Sequence, residues 1–252
     1  MELEQSGQWK SRNRFLVVLQ PFWPGLNVGL AEIDRRLGRE GWRIEVISDL
    51  PGEDANWVSI MEKLQRLDPS VIVLASYFYE DGIAFQKAFL SNPISALVYN
   101  LYSPSVPAYR EELGEQANGV LWATTTGLYS DRIGNDFVAR YKQRHGREPG
   151  QSHASIAYDR VNILAGSWSR VGNTRLFEKV VTDRRSTVHR GVNGSYFFGT
   201  DGQVGLAFPD DTNDPSISQA HLVFQIQNGD QRILSPQPYV NGRFRTPRWM
   251  IE

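Results

Sequence analysis

The sequence predicts an α/β fold built around a parallel, doubly wound sheet. In the first half of the chain, short apolar runs alternate with segments in which apolar residues recur at helical spacing. Two of these runs, at 15–20 and 70–75, carry almost no polar residue, which is typical of strands that helices cover on both faces. Strands that alternate with helices along the chain usually become parallel neighbours in one sheet.

Nine elements follow one another in this part of the chain. The expected strands are Phe15–Gln20, Arg43–Ser48, Ser70–Ala75, Ser95–Tyr99 and Gly119–Ala123. The expected helices between them are Asn27–Gly38, a helix capped by Asp54, Glu80–Leu90 and Val106–Gly114. Gly38 suits a helix end because glycine readily takes a left-handed backbone. Asp54 suits a helix start because its carboxylate accepts hydrogen bonds from free amide groups, and apolar residues follow it at helical spacing from Trp57 to Leu67.

The pattern changes after residue 126. A helix capped by Ser130 and reaching His145 is followed by a second helix at Ser152–Arg170, with no strand between them. The second helix carries apolar residues along one side, which must pack on an apolar surface. These residues are Ile156, Ala157, Val161, Leu164 and Trp168. After His189 the pattern predicts β structure, with Asp201-Gly202 and Asn228-Gly229 as hairpin turns.

Composition excludes several classes of function. The 252 residues include 27 basic and 28 acidic side chains, so the net charge of −1 gives no general attraction to nucleic acid or to an anionic membrane. The chain has no cysteine, which excludes thiol catalysis, disulfides and cysteine-ligated metals. No apolar stretch approaches the ~20 residues that span a bilayer. Residues 1–14 lack the apolar core of a signal peptide, so the chain as written is expected to stay in the cytoplasm.

Motifs for cofactor, metal or catalytic sites do not occur. The glycine-rich dinucleotide and phosphate motifs and the Gly-x-Ser-x-Gly nucleophile motif are absent from the sequence. The four histidines, His145, His153, His189 and His221, do not have the spacing of metal ligands. We therefore expect no cofactor, no metal and no enzymatic activity, although an α/β hydrolase or transferase stays as an alternative.

A ligand site is expected at one edge of the sheet, because open α/β sheets bind ligands beyond the carboxyl ends of their strands. The segments that follow the predicted strands there combine aromatic rings with hydroxyl and amide groups, which suits a small polar or amphipathic molecule. The alternative is that the rings only cover the ends of the sheet. The candidate ligand-binding residues are Phe22, Trp23, Ser76, Tyr77, Phe78, Asn100, Tyr102 and Ser103.

Several segments, taken in order, resemble one family of transport proteins. They are Asp68–Tyr77, Gly119–Thr124, Phe137–Tyr141 followed by Gly146–Gly150, Ala157–Asp159, Gly191–Gly194 with Gly202-Gln203, and Val223–Gly229. Together they are similar to the type I periplasmic solute-binding proteins of branched-chain amino-acid (Leu/Ile/Val) ABC transporters. The resemblance covers roughly Phe15 to Trp249.

This resemblance implies two lobes that are joined by a three-stranded hinge and close around a ligand, with an ABC transporter permease as partner. Residues 1–14 would be a disordered N-terminal segment and 15–126 the second-lobe α/β domain. Residues 127–205 would form a partial first lobe of helices and β turns, and 206–252 would return to the second lobe and end in a hairpin. The family's N-terminal lobe and signal peptide are expected to be missing, and the location that the resemblance implies is periplasmic. A cytoplasmic ligand sensor of the same fold is the runner-up.

The resemblance also gives roles to the candidate site residues. Tyr77 matches a tyrosine that lines the family's ligand site, and Phe22 and Trp23 lie in a loop that usually offers another tyrosine. Tyr102 lies about where family members often carry an acid for the ammonium group of the ligand. An amide or an aromatic acid is therefore a better candidate ligand than a plain α-amino acid.

Overall fold

A computed structural model of the chain describes residues 2–20, 29–48, 50 and 57–251. The chain divides into two compact units. The first unit comprises Met1–Trp122, Phe224–Arg232 and Gly242–Glu252, and the second comprises Ala123–Val223 and Ile233–Asn241. Three of the four boundaries between these units fall inside β-strands, and the fourth falls between residues 241 and 242. The assignment of these units to the lobes of a binding protein stays a prediction.

The described residues form an α/β structure, as the sequence predicts. The strands are β1 Phe15–Leu19, β2 Arg43–Ile47, β3 Val71–Leu74, β4 Leu97–Asn100, β5 Leu121–Thr124, β6 His189–Gly191, β7 Gly194–Tyr196, β8 Ala207–Phe208, β9 Gln219–Ala220, β10 Leu222–Gln227 and β11 Asp230–Ser235. The helices are α1 Glu2–Gln5, α2 Leu30–Arg39, α3 Val58–Leu67, α4 Tyr79–Ser91, α5 Pro107–Leu113, α6 Arg132–His145, α7 His153–Val171 and α8 Phe177–Ser186.

Seven of these strands form the main sheet, in the order β11-β10-β5-β4-β3-β1-β2. The pairs β1–β2, β1–β3, β3–β4 and β4–β5 are all parallel, which confirms the predicted parallel arrangement. Every side chain of β1 is buried. This is the burial that the continuous apolar run at 15–19 requires.

Apolar side chains cover both faces of this sheet. On one face, Phe85 and Phe89 from α4 and Trp57 pack on the buried side chains of β1, β3 and β4. On the other face, Leu30 and Leu37 from α2 pack with Trp42 on Leu16 and its neighbours. The first unit is therefore doubly wound, as predicted. The predicted cap Asp54 lies outside the described residues.

A glycine shapes the junction of β5 and β10. The amide of Gly119 donates to the carbonyl of Ile226 at 2.8 Å, and the amide of Ile226 donates to the carbonyl of Val120 at 3.0 Å. Gly119 and Val120 thus lie opposite the single residue Ile226, and Gly119 has a φ of +98°. This is the geometry of a glycine β-bulge. A side chain at position 119 would lie 2.8 Å from both Pro247 and Trp249. The bulge therefore lets the C-terminal segment lie close to this end of the sheet.

One of the two predicted hairpin turns is confirmed. Asn228 and Gly229 join β10 to β11 with φ values of +53° and +78°, and this left-handed pair matches the twist of a two-residue hairpin. The other prediction is wrong, because Asp201-Gly202 lies in a short 3-10 turn at Asp201–Gln203. Gly202 takes a positive φ there without joining two paired strands.

In the second unit, helix α6 begins one residue later than the sequence suggests. Its cap is Asp131 rather than Ser130, and the Asp131 carboxylate accepts a hydrogen bond of 2.8 Å from the amide of Gly134. Helix α7 is joined to the turn between β6 and β7 by Asp159. Its buried carboxylate accepts from the amides of Val192 at 2.9 Å and Asn193 at 3.0 Å.

The N-terminal segment has defined contacts where the sequence predicts disorder at 1–14. Helix α1 occupies Glu2–Gln5. The Arg12 guanidinium donates to both carboxylate oxygens of Asp68, at 2.9 and 2.8 Å, and the pKa of Asp68 is lowered mainly by this bond. Among the described residues, no helix is long and apolar enough to cross a membrane.

Candidate functional site

The carboxyl ends of β3 and β4 lie side by side in the first unit. Leu74 and Asn100, the last residues of these strands, are partners in the parallel register. The amide of Leu101 continues the pairing by donating to the carbonyl of Leu74 at 3.0 Å. The segments 75–78 and 101–103 therefore start at the same level on the same edge of the sheet. We call these two segments the rim.

An aromatic pair crosses the rim. The rings of Tyr77 and Tyr102 meet nearly edge to face, with centroids 6.4 Å apart and an interplanar angle of 67°. Tyr77 is 57% exposed and Phe78 is 47% exposed, whereas Tyr102 is partly buried. Large exposed rings at a strand end offer a flat, apolar contact surface with a polar hydroxyl at its edge. Such a surface suits an aromatic or amphipathic ligand.

Ser76 is buried and holds the turn that leads from β3 into α4. Its hydroxyl donates to the Asp81 carboxylate at 2.5 Å and accepts from the amide of Phe78 at 3.1 Å. Asp81 lies in the first turn of α4, where a negative charge is favoured by the free amide groups of the helix. One oxygen of the carboxylate nearest to the rim is thus engaged within the protein.

Asn100, the last residue of β4, and Ser103 of the rim are both buried. The Asn100 side-chain amide donates to the Tyr109 hydroxyl at 3.1 Å, and burial raises the pKa of Tyr109 well above its ordinary value. Ser103 is packed against Gly82 of α4, where an added Cβ would lie 2.3 Å from the Ser103 hydroxyl oxygen. These two polar residues therefore join β4 to α4 and α5.

The structure thus divides the candidate residues into two groups. Tyr77, Phe78 and Tyr102 form the more accessible aromatic group, while Ser76, Asn100 and Ser103 form a buried polar group. Phe22 and Trp23 lie outside the described residues. The assignment of these residues to a binding site stays a prediction.

Gln20 lies at the same edge of the sheet as the rim, and the sequence-based candidates omit it. It follows β1, and its amide donates to the carbonyl of Ile47 at 2.9 Å. Its side-chain oxygen is buried and accepts no hydrogen bond from the described residues, as is also true of the side-chain oxygen of Asn100. Its position at the carboxyl end of the first apolar strand is the signal that would have identified it.

A second polar cluster lies in the second unit. Arg190 is paired with Asp131, and its guanidinium lies 4.8 Å from the centre of the Tyr129 ring. The Tyr129 hydroxyl accepts from the amide of Ala220 at 2.6 Å, and burial raises the pKa of Tyr129. The arginine has a carboxylate partner of its own, so this cluster primarily supports the local fold. Within the described residues, no group of three or more histidine or acidic side chains is placed to hold a metal ion.

Comparison with solved structures identifies the fold. A protein from Silicibacter pomeroyi, provisionally described as a branched-chain amino acid ABC transporter, superposes with a TM-score of 0.84 and 28% identity. The match covers 99% of this chain and 65% of that one. This is the fold of the type I periplasmic solute-binding proteins. The resemblance of the sequence to the branched-chain amino-acid family is confirmed.

Two further structures show the same fold at lower identity. One is a branched chain amino acid ABC transporter periplasmic ligand-binding protein from Burkholderia xenovorans, with a TM-score of 0.67 and 14% identity over 95% of this chain and 59% of that one. The other is an ABC transporter solute-binding protein from R. palustris in complex with benzoate, with a TM-score of 0.70 and 10% identity. That match covers 92% of this chain and 59% of the other. The chain thus spans less than two thirds of the length of these proteins. No protein-family model and no curated protein matches the sequence.

Proposed function

We propose that the chain binds a small aromatic acid, amide or amino-acid-like solute at the rim, and does so as the binding component of an ABC importer in the periplasm. The observation that carries the proposal is the Tyr77–Tyr102 pair, which crosses the ends of two neighbouring strands. Its position agrees with the rule that ligands of open α/β sheets lie beyond the carboxyl ends of the strands. The rim residues are proposed to bind the ligand and to perform no catalysis.

The chemistry of the rim favours a ligand without a free ammonium group. An ammonium group is best held by a carboxylate that is free to receive it. Asp81 has one oxygen engaged by Ser76, and position 102 carries a tyrosine where the family often has an acid. Aromatic rings instead favour a ligand with a ring of its own, which can stack or meet them edge to face. The R. palustris protein named above was solved with benzoate, a ligand of this kind.

The import role is supported by the proteins that share the fold. The three structures named above all come from proteins described as components of ABC transporters. A permease is therefore the proposed partner for the liganded protein. Because a shared fold alone does not give a function, ligand binding has to be tested directly.

A ligand screen by thermal shift tests the proposal. Benzoate, 4-hydroxybenzoate, benzamide, phenylalanine and leucine would be added separately to the purified chain. A ligand that binds the native state raises the melting temperature in proportion to the logarithm of its concentration. We expect the two benzoates or benzamide to give the largest rise. A larger rise with phenylalanine or leucine would contradict the preference for a ligand without an ammonium group, and no rise with any compound would contradict binding by this chain.

A further inference from the structure

A cavity of about 530 Å³ lies at the edge of the sheet opposite the rim. It is lined by residues just before β4 and β5, such as Pro93 and Gly119, and by parts of β10 and of the C-terminal segment, such as Gln225, Arg245 and Trp249. Since β3, β4 and β5 are parallel, their amino ends lie at the edge away from the rim. We call this space the amino-edge cavity.

The amino-edge cavity is built within the first unit alone. Every residue that lines it belongs to that unit, and β5 and β10 pass into the second unit towards their other ends. Its volume lies in the range that is usual for small-molecule sites. The cavity is therefore a candidate binding site separate from the rim.

Two buried glutamines of β10 hold the C-terminal segment along one wall of the cavity. The Gln225 side chain donates to the carbonyl of Arg245 at 2.7 Å and accepts from the amide of the same residue at 2.9 Å. The Gln227 side chain donates to the carbonyl of Arg243 at 2.7 Å. Because both backbone groups of Arg245 are bonded, its guanidinium extends from a fixed point of the chain.

A second anchor fixes the backbone beside Arg248. The neighbouring Trp249 is buried, and its indole N–H donates to the carbonyl of Ala96 at 2.8 Å. Its ring also meets the ring of Phe89 edge to face, with centroids 5.6 Å apart. On the other side, Pro247 is buried as well. Arg248 thus extends from a backbone that its two neighbours hold in place.

The charges in the cavity favour an anion. Arg245 and Arg248 both line it and are exposed, and within the described residues neither guanidinium has an ion pair or a hydrogen bond. Among the described residues that line the cavity, Glu115 is the only carboxylate, and one of its oxygens accepts from the Asn118 side chain at 2.6 Å. Two unpaired guanidinium groups on a fixed backbone are suited to bind carboxylates.

From this arrangement we propose that the amino-edge cavity binds a small dicarboxylate. Each guanidinium presents a planar set of N–H donors that matches one carboxylate group. Pro247 and Trp249 line the same cavity and offer apolar contact to the carbon chain between the two acidic groups. The proposal is independent of the proposed function, because it uses no rim residue.

Titration of the isotope-labelled full chain with succinate, followed by NMR, tests this proposal. The amide signals of residues 245–249 should shift and saturate, while those of the rim segments 75–78 and 101–103 should not shift. Butyrate has the same four carbons but a single carboxylate, so it should bind about tenfold more weakly or less. The absence of a saturable shift with succinate would overturn the proposal, and so would equal affinity for butyrate or a shift confined to the rim.

Single variants test the role of the two arginines. Arg245→Gln and Arg248→Gln should each weaken succinate binding about tenfold, because each removes charge-assisted hydrogen bonds. Arg243→Gln is the matched control, since Arg243 is an exposed arginine of the same segment that does not line the cavity. It should bind succinate as the wild type does. Equal losses in all three variants would show a general attraction by positive charge and would overturn the site.

A fourth variant gives a change of the opposite sign. Glu115→Gln removes the negative charge from the cavity and keeps an oxygen for the Asn118 side chain. It should tighten succinate binding about twofold to fivefold, because a repulsion between exposed charges is removed. Circular dichroism would establish that each variant is folded. Weaker binding by a folded Glu115→Gln chain would contradict the proposal.

Discussion

The ring of Tyr77 meets the ring of Tyr102 at an angle of 67°, across the ends of two neighbouring parallel strands. Each strand is followed by one ring of this pair, so neither strand alone can bring the two rings together. The contact arises because β3 and β4 end in register, at Leu74 and Asn100, and the two chains then leave the same edge of the sheet. Two residues that are 25 positions apart in the sequence thus form one surface, and their joint role in ligand binding can be measured.

The first prediction concerns the coupling of this pair. With the ligand that gives the largest thermal shift, Tyr77→Ala and Tyr102→Ala should each weaken binding about tenfold or more, because each removes aromatic contact area. The double variant should lose less than the sum of the two losses, since the rings support each other. Isothermal titration calorimetry measures all three affinities.

Tyr158→Ala is the control for this pair, because it removes a tyrosine of α7 and leaves the rim intact. It should bind the ligand as the wild type does. Unchanged affinity in both rim variants would show that the ligand site lies elsewhere.

A second prediction concerns Ser76. Ser76→Ala removes the donor to Asp81 and the acceptor for the amide of Phe78, so the start of α4 loses two hydrogen bonds. We expect a loss of about 1–3 kcal/mol in the free energy of unfolding, measured by urea denaturation. Ser91→Ala is a matched control at the other end of the same helix, where an exposed hydroxyl bonds the carbonyl of Ala88. Equal losses for the two variants would argue against a special role of Ser76.

The parallel sheet is predictable from the sequence because its signal is local. The residues at 15–19 and 71–74 are all apolar, which can be read from the sequence without knowing their tertiary contacts. Glycine or proline also marks many of the boundaries between elements. Helix α8 is missed for the converse reason. Its segment Phe177–Ser186 buries only Val180, so its apolar spacing is too weak to predict a helix.

The burial of the polar residues at this edge of the sheet is not predictable in the same way. A strand-end position predicts that Asn100 and Ser103 lie near Tyr77, but their burial depends on Tyr109 and Gly82, which other helices contribute. The same limit applies to α7. Its apolar side is evident from the sequence, yet the burial of its opposite, polar side follows from contacts of Asp159 with a distant turn.

A third prediction concerns the bulge at Gly119. Gly119→Ala places a methyl group 2.8 Å from Pro247 and Trp249 at a φ of +98° that alanine disfavours. We expect a loss of about 2–4 kcal/mol in the free energy of unfolding, measured by urea denaturation. Gly38→Ala is the control, because nothing lies within 4 Å of the added methyl group and the residue is in helix α2. This change should stabilise the chain by about 0.5–1 kcal/mol. A harmless Gly119→Ala would mean that the C-terminal segment does not lie against the bulge.

The last prediction concerns the pH dependence of the contact between α7 and α8. The Arg170 guanidinium donates two hydrogen bonds to Asp183, at 2.8 and 2.7 Å, and these lower the pKa of Asp183 from 3.8 to about 2. A lowered pKa means that the folded state favours the charged carboxylate, so the stabilisation is present above pH 3.8 and is lost as the pH falls through about 2. Because Arg170 is half exposed, the contribution should be below about 1 kcal/mol. Urea denaturation of the wild type and Asp183→Asn should therefore differ at pH 7, and the difference should shrink as the pH falls from 3.8 through about 2. A difference of unchanged size at pH 2 would show that the variant acts through packing rather than through the charge of Asp183.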